Sequence, residues 1–114
     1  MYTILNQKDE PVAFIQNMMI MDLNQEQVHG ILIGDCFFGK KNHIIGKIFN
    51  KTVYLVNGEV VGKVIQNTSF KNIALKKANM QAAWDILSNI KDHTSPWIIE
   101  TTKWSEKPLL FHLL

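Results

Sequence analysis

A chain of 114 residues, 46% hydrophobic and 19% charged, has the composition of one folded domain, and no run in it approaches the ~20 apolar residues of a membrane-spanning helix. Its net charge of +2 comes from 12 Lys and no Arg, so the bidentate guanidinium contacts that read guanine are excluded, which argues against sequence-specific nucleic-acid binding. A single Cys excludes an intrachain disulfide framework and a Cys-rich zinc cluster.

Residues 1–66 read as four copies of one unit. The segment Gly58-Glu59-Val60-Val61-Gly62-Lys63-Val64 resembles Asn42-His43-Ile44-Ile45-Gly46-Lys47-Ile48, and both resemble Glu26-Gln27-Val28-His29-Gly30-Ile31-Leu32. Asp9-Glu10-Pro11-Val12-Ala13-Phe14-Ile15 is a weaker copy. The small residues Ala13, Gly30, Gly46 and Gly62 fall in register, at spacings of 17, 16 and 16. Each copy has two apolar runs separated by a polar turn, the pattern of a β-hairpin. The turns are Asn6 to Glu10, Asn24 to Gln27, Gly39 to Asn42 and Asn57-Gly58, the last being a strong two-residue hairpin signal. Between copies the chain reverses at Gln16-Asn17, Gly34-Asp35 and Asn50-Lys51. Eight short strands are expected.

Simple alternation assigns Pro11/Val28/Ile44/Val60, Ala13/Gly30/Gly46/Gly62 and Ile15/Leu32/Ile48/Val64 to one apolar face. Val12/His29/Ile45/Val61 and Phe14/Ile31/Lys47/Lys63 fall on the other. A small residue at one level in every copy predicts four strands converging on an axis where no side chain fits.

The recurring turn followed by Gly-Glu-Val-Val-Gly and a strand resembles the four-fold beta-flower domain of bacterial proteins. That resemblance implies four hairpins with pseudo-four-fold symmetry and assigns no activity. Ala13 departs from its glycine, and His29 takes a usually aliphatic slot. The same strands also resemble the small open barrel of the PRC type.

Beyond the repeat, Asn67-Thr68-Ser69 reads as a linker. A helix is predicted from about Ile73 to Lys91, with Ile73, Met80, Ala83, Trp84, Leu87 and Ile90 on its packed stripe. Asp92 to Pro96 is a stop signal, and Trp97 to Thr102 reads as a strand. Leu109 to Leu114 is an apolar end that must bury, pair or associate. The expected fold is therefore mainly β, with α+β content: a four-hairpin unit over 1–66 with pseudo-four-fold arrangement. A helix and one or two terminal strands over 67–114 pack on the same domain.

Charge is unevenly spread. Residues 1–39 carry one Lys against five carboxylates, for −4, whereas residues 40–91 carry nine Lys against Glu59 and Asp85, for +7. A basic middle attracts anions, or simply solvates strands against edge pairing. Lys47 and Lys63 follow equivalent glycines, and pseudo-symmetry predicts them side by side as an anion contact. Trp97 and Trp104 are candidate pocket walls, because Trp is favoured at binding sites, and His29 is a candidate ligand contact or a packing histidine.

Cys36 and His43, seven residues apart across a turn, are the one nucleophile–base pair to consider, although a buried inert thiol is the simpler reading. No histidine pair has metal-ligand spacing, and no phosphate loop, dinucleotide fingerprint or nucleophile elbow is present. No cofactor or metal is expected. The reading is a non-catalytic protein that binds a protein partner or a small molecule. Its alternatives are a phage or mobile-element protein that sequesters a small anion or nucleotide-like signal, and a small enzyme using Cys36 and His43. The A/T-rich codons of Lys, Asn and Ile fit a bacterial or phage source. The start, Met1-Tyr2-Thr3-Ile4-Leu5-Asn6, lacks the basic and apolar regions of a secretory signal, so a cytoplasmic location with a reduced thiol is expected, and a homo-oligomer is an open reading.

Overall fold

The structure, a computed structural model, describes residues 2–24, 26–41, 43–66, 77–90 and 95–114. Eight antiparallel strands follow one another around a closed barrel: β1 (Tyr2–Leu5), β2 (Pro11–Gln16), β3 (Met19–Met21), β4 (Val28–Ile33), β5 (Cys36–Phe38), β6 (Ile44–Phe49), β7 (Thr52–Leu55) and β8 (Val60–Gln66). The last strand closes on the first, with Tyr2 opposite Gln66 and Leu5 opposite Lys63. Every strand is paired on both sides, so the sheet has no free edge. This is the mainly β, four-hairpin fold that the repeat predicts, closed rather than open.

The turns divide into two kinds, one at each end of the barrel. The tight turns between copies hold Asn17 and Met18 at φ of 49° and 66°, and Asn50 and Lys51 at 50° and 57°. Two consecutive left-handed residues are what a two-residue turn needs to match the twist of its strands, and Asn tolerates that conformation best among residues with a side chain. The third tight turn uses Gly34 at φ 61°. The longer turns within copies lie at the opposite end.

Each hairpin carries a β-bulge at the same place. The register shifts between Ile4 and Leu5, Ile20 and Met21, Phe37 and Phe38, and Val53 and Tyr54. Val12, His29, Ile45 and Val61 are the extra residues on the facing strands. An extra residue inverts the alternation beyond it. Val12, Ile45 and Val61 therefore join the barrel core with Ala13 and Ile15, while Val28, Ile44 and Val60 belong to clusters on the outer wall. The faces assigned by simple alternation are corrected at these positions.

The interior is built in levels. Ile4, Ile20, Phe37 and Val53, one from each copy, are at most 1% exposed and form the central level beside Ala13. The glycines are small for a reason other than a shared axis. A Cβ at Gly30 would collide with the Phe38 carbonyl oxygen, and one at Gly46 with that of Tyr54, in both cases on the first strand of the next copy. At Gly62 it would come within 2.5 Å of Ile4 Cγ2 on β1. The repeat therefore marks close approach of adjacent strands at the seams between hairpins.

The described residues beyond β8 cover parts of the barrel. Helix α1 (Lys77–Ser88) packs chiefly on β4, burying Asn79 and Ile86 with Ala82, Ala83 and Ile90 against Met21, Val28, Ile31 and Phe38. The predicted stripe is displaced by one residue around the helix: Met80, Trp84 and Leu87 are exposed instead of packed, and Ile73 lies outside the described residues. The predicted strand at 97–102 does not form: Thr101 donates its amide to the Gly58 carbonyl at 3.2 Å, and just beyond the segment an isolated parallel bridge joins Trp104 to Val60 of β8. Val60 donates its amide to Lys103, and Ser105 donates back to Val60, each at 2.8 Å. Ile98 from this segment is buried against Tyr54 and Val60.

The apolar C-terminus folds inward. Helix α2 (Leu109–His112) and Leu113 close the long-turn end of the barrel, with Leu109 and Leu113 each 1% exposed in the main core. Lys40 donates its amide to the Leu113 carbonyl at 3.0 Å and fixes the plug to the β5–β6 turn.

Candidate functional site

One end is plugged, and among the described residues the other is open. At the tight-turn end lies a cavity of about 420 Å³ lined by Tyr2, Ile15, Gln16, Asn17, Met18, Leu32, Ile48 and Val64. Four of these, Ile15, Leu32, Ile48 and Val64, are the equivalent residues of the four copies. They face inward because each stands two places beyond the bulge-corrected glycine or alanine. Their level is held by matching backbone bonds to the tight turns: Leu32 donates to Met18, Ile48 to Asp35 and Val64 to Lys51, all at 2.8 Å. The mouth is thus a ring of branched aliphatic side chains on rigid strands, one level above the fully buried floor of Ile4, Ile20, Phe37 and Val53. Among the described residues, the polar side chains at its rim are those of Tyr2 and Asn17.

A second apolar hollow of about 400 Å³ adjoins the mouth and shares Asn17, Met18 and Leu32 with it. It lies between the β3–β4 hairpin and α1, where Ile31, Ile33, Met80, Ala83, Trp84 and Leu87 complete the wall. The exposed stripe of α1 therefore borders the barrel opening.

The residues singled out from sequence lie elsewhere and do not form one site. Lys47 and Lys63 stand on opposite sides of β7, opposite Tyr54 and Thr52 respectively. Lys47 is 3.6 Å from Asp35 and donates to the Pro96 carbonyl at 3.1 Å. Lys63 is 3.5 Å from Asp9 and lies over the Trp104 ring at 5.8 Å. The two ammonium groups are neutralised by separate carboxylates instead of forming a pair that calls for an anion. His29 sits in the β4 bulge with Asp22 at 3.8 Å. Trp97 is 91% exposed, whereas Trp104 is half-buried and walls a smaller hollow of about 300 Å³ beside Ser105, Lys107 and Leu109.

Cys36 and His43 are at opposite ends of the β5–β6 hairpin, with Cys36 facing Lys47 and His43 beyond the turn end of β6. Burial raises the Cys36 thiol pKa above its ordinary value of 9.0, and the neighbouring Asp35 carboxylate adds to the shift against opposing contributions from Ser95 and Lys47. A thiol so placed stays protonated and is a poor nucleophile. Among the described residues no group of three His, Cys, Asp or Glu side chains could hold a metal ion, and no helix is long and apolar enough to cross a membrane.

One polar pair escaped the sequence reading. Ser105 Oγ and His112 Nε2 are 3.0 Å apart, joining the start of the plug to the last turn of α2. Seven residues and a turn separate them, and no spacing rule brings such a pair together. The mouth residues were legible as an inner apolar level, but their exposure at an open end depends on the C-terminus choosing the other end. Compared with protein-family models, curated proteins and solved structures, the chain has no significant match.

Proposed function

We propose that this chain is a non-catalytic binding protein whose site is the open barrel mouth with its adjoining hollow. One observation carries the reading: at this mouth four equivalent aliphatic residues of the barrel interior line one cavity. Small-molecule sites are concave, mostly apolar and largely pre-formed, with a few polar groups to set orientation, and this mouth has those properties. Eight-stranded barrels are also wide enough to hold one small ligand. An enzyme would need converging polar groups, and Cys36 and His43 do not supply them. The anion-sequestering alternative loses its support because Lys47 and Lys63 already have carboxylate neighbours.

The four hairpins, their equivalent bulges and the small residue in each copy support placing the chain with the four-fold beta-flower proteins. A cytoplasmic location fits the protonated, buried thiol.

The test uses the uncharged, polarity-sensitive dye Nile red. The parent protein should enhance its emission with saturable binding. Leu32→Lys, which places an ammonium in the wall common to both cavities, should weaken binding at least tenfold while the barrel's circular dichroism persists. Equal binding by parent and folded variant would defeat the reading.

A further inference from the structure

We infer that the mouth takes the hydrocarbon end of a small, uncharged amphiphile, inserted end-on with its polar head at the rim. The inference rests on the reading of the mouth as a binding site and adds the chemistry and orientation of its ligand.

Shape gives the orientation. The cavity is a cup with a solid floor, because Ile4, Ile20, Phe37 and Val53 fill the barrel one level down and Leu109 and Leu113 seal the far end. A ligand cannot thread through and must enter and leave by one opening. The walls beside the floor are the Ile15, Leu32, Ile48 and Val64 side chains. They offer no hydrogen-bonding group, so a polar or charged group placed there would lose its water without compensation. The inserted part is therefore hydrocarbon.

The rim gives the head group. Its polar side chains are the Tyr2 hydroxyl and the Asn17 amide, both uncharged, whereas Gln16 is buried and follows the inward-facing Ile15 on the outer side of β2. Tyr2 is 46% exposed, so its hydroxyl can meet a ligand that still touches solvent. Among the described residues, the charged side chains of this end are engaged elsewhere or lie outside the lining. Asp35, in the β4–β5 turn, is engaged with Lys47, and Lys51, in the β6–β7 turn, does not line the cavity. A neutral hydroxyl or amide head matches this rim, and a charged head finds no fixed counter-charge in the lining. At about 420 Å³ the cup is at the small end of ligand sites, which suits a short or medium chain.

The experiment titrates the full chain with 1-butanol, 1-hexanol, 1-octanol and octanoate, following methyl resonances of Ile15, Leu32, Ile48 and Val64 by NMR. Affinity should rise about threefold to fourfold per added methylene, the ratio given by ~0.8 kcal/mol per buried CH₂, until the cup is full. Octanoate should bind several-fold more weakly than octanol. Ile48→Trp, which fills the cup, should abolish the shifts, and Trp84→Ala, which alters only the adjoining hollow, should leave them. Val64→Phe serves as a second filling variant if Ile48→Trp melts early.

Shifts confined to Met80, Trp84 and Leu87 would overturn the inference, as would affinity independent of chain length or octanoate binding more tightly than octanol. Nile red binding that depends on Leu32 would then still uphold the site itself. Loss of both results would remove the site and its ligand together.

Discussion

Gly46 illustrates how much one absent atom decides. Its missing Cβ leaves room for the Tyr54 carbonyl oxygen, and the Phe37 ring stands 2.9 Å from where that Cβ would be. Gly46→Ala should therefore cost about 2 kcal/mol by overpacking and lower the Tm by ~10 °C in a thermal melt. Gly34 is the control. Nothing lies within 4 Å of its would-be Cβ, and only its φ of 61° demands glycine, so Gly34→Asn should cost about 0.5 kcal/mol or less. Equal losses at the two sites would contradict the close-approach account. The need for small residues was legible from their period alone. Which neighbour they make room for was not, because that depends on the register between hairpins. Cys36 adds a pH prediction. Its folded-state pKa lies above the unfolded value of 9.0, so above pH 9.0 the unfolded chain gives up this proton more readily than the native one. The group's contribution is fully present below that pH and is lost as pH rises toward the folded pKa. In urea melts, the stability advantage of the parent over Cys36→Ala should therefore shrink between pH 8 and pH 10.

Elements obeyed their local signals where the pattern was redundant and departed from them where one residue could shift the phase. Four copies of a turn and two apolar runs leave little freedom, and all eight strands form. A single bulge per hairpin is enough to exchange Val12, Ile45 and Val61 with Val28, Ile44 and Val60 between inside and outside. In the third and fourth copies, apolar residues at both positions hide that exchange from the sequence. Helix α1 presents the same ambiguity. Its apolar residues span more than one stripe, and packing chose Asn79, Ala82, Ala83 and Ile86, leaving Trp84 62% exposed. Trp84→Ala should therefore change stability by about 0.5 kcal/mol or less, whereas Leu113→Ala, in the plug, should cost about 2–5 kcal/mol. Denaturant unfolding of the two variants distinguishes a free stripe from a packed core. The plug also carries the Ser105–His112 contact, and Ser105→Ala should lose about 1 kcal/mol.

For the whole molecule, closure matters more than any one hairpin. The wall is completed by β1 pairing with β8, contacts that span nearly all of the repeat region. Such distant pairing must overcome loop-closure entropy before it is rewarded, so refolding should take milliseconds to seconds, slower than for a helical bundle of this size. Stopped-flow tryptophan fluorescence measures that rate directly. The mainly β class and the four-hairpin arrangement were legible because they rest on periodicity. The site was only half legible: the level of Ile15, Leu32, Ile48 and Val64 was visible, but which end of the barrel stays open depends on the tertiary choice made by Leu109 and Leu113. Equivalent bulges, tight turns and inner residues make the four hairpins nearly interchangeable quarters of one wall. A gene made by tandem duplication of a sixteen-codon segment would yield such a chain, and later drift would account for Ala13 where the other copies have glycine. The same modularity means that the order of the quarters is a matter of chain connectivity, not of packing. A circular permutant that links Leu114 to Met1 through a flexible linker and opens at Gly34-Asp35, keeping the helix and the plug, would begin with the third quarter and end with the second, and should rebuild the same wall.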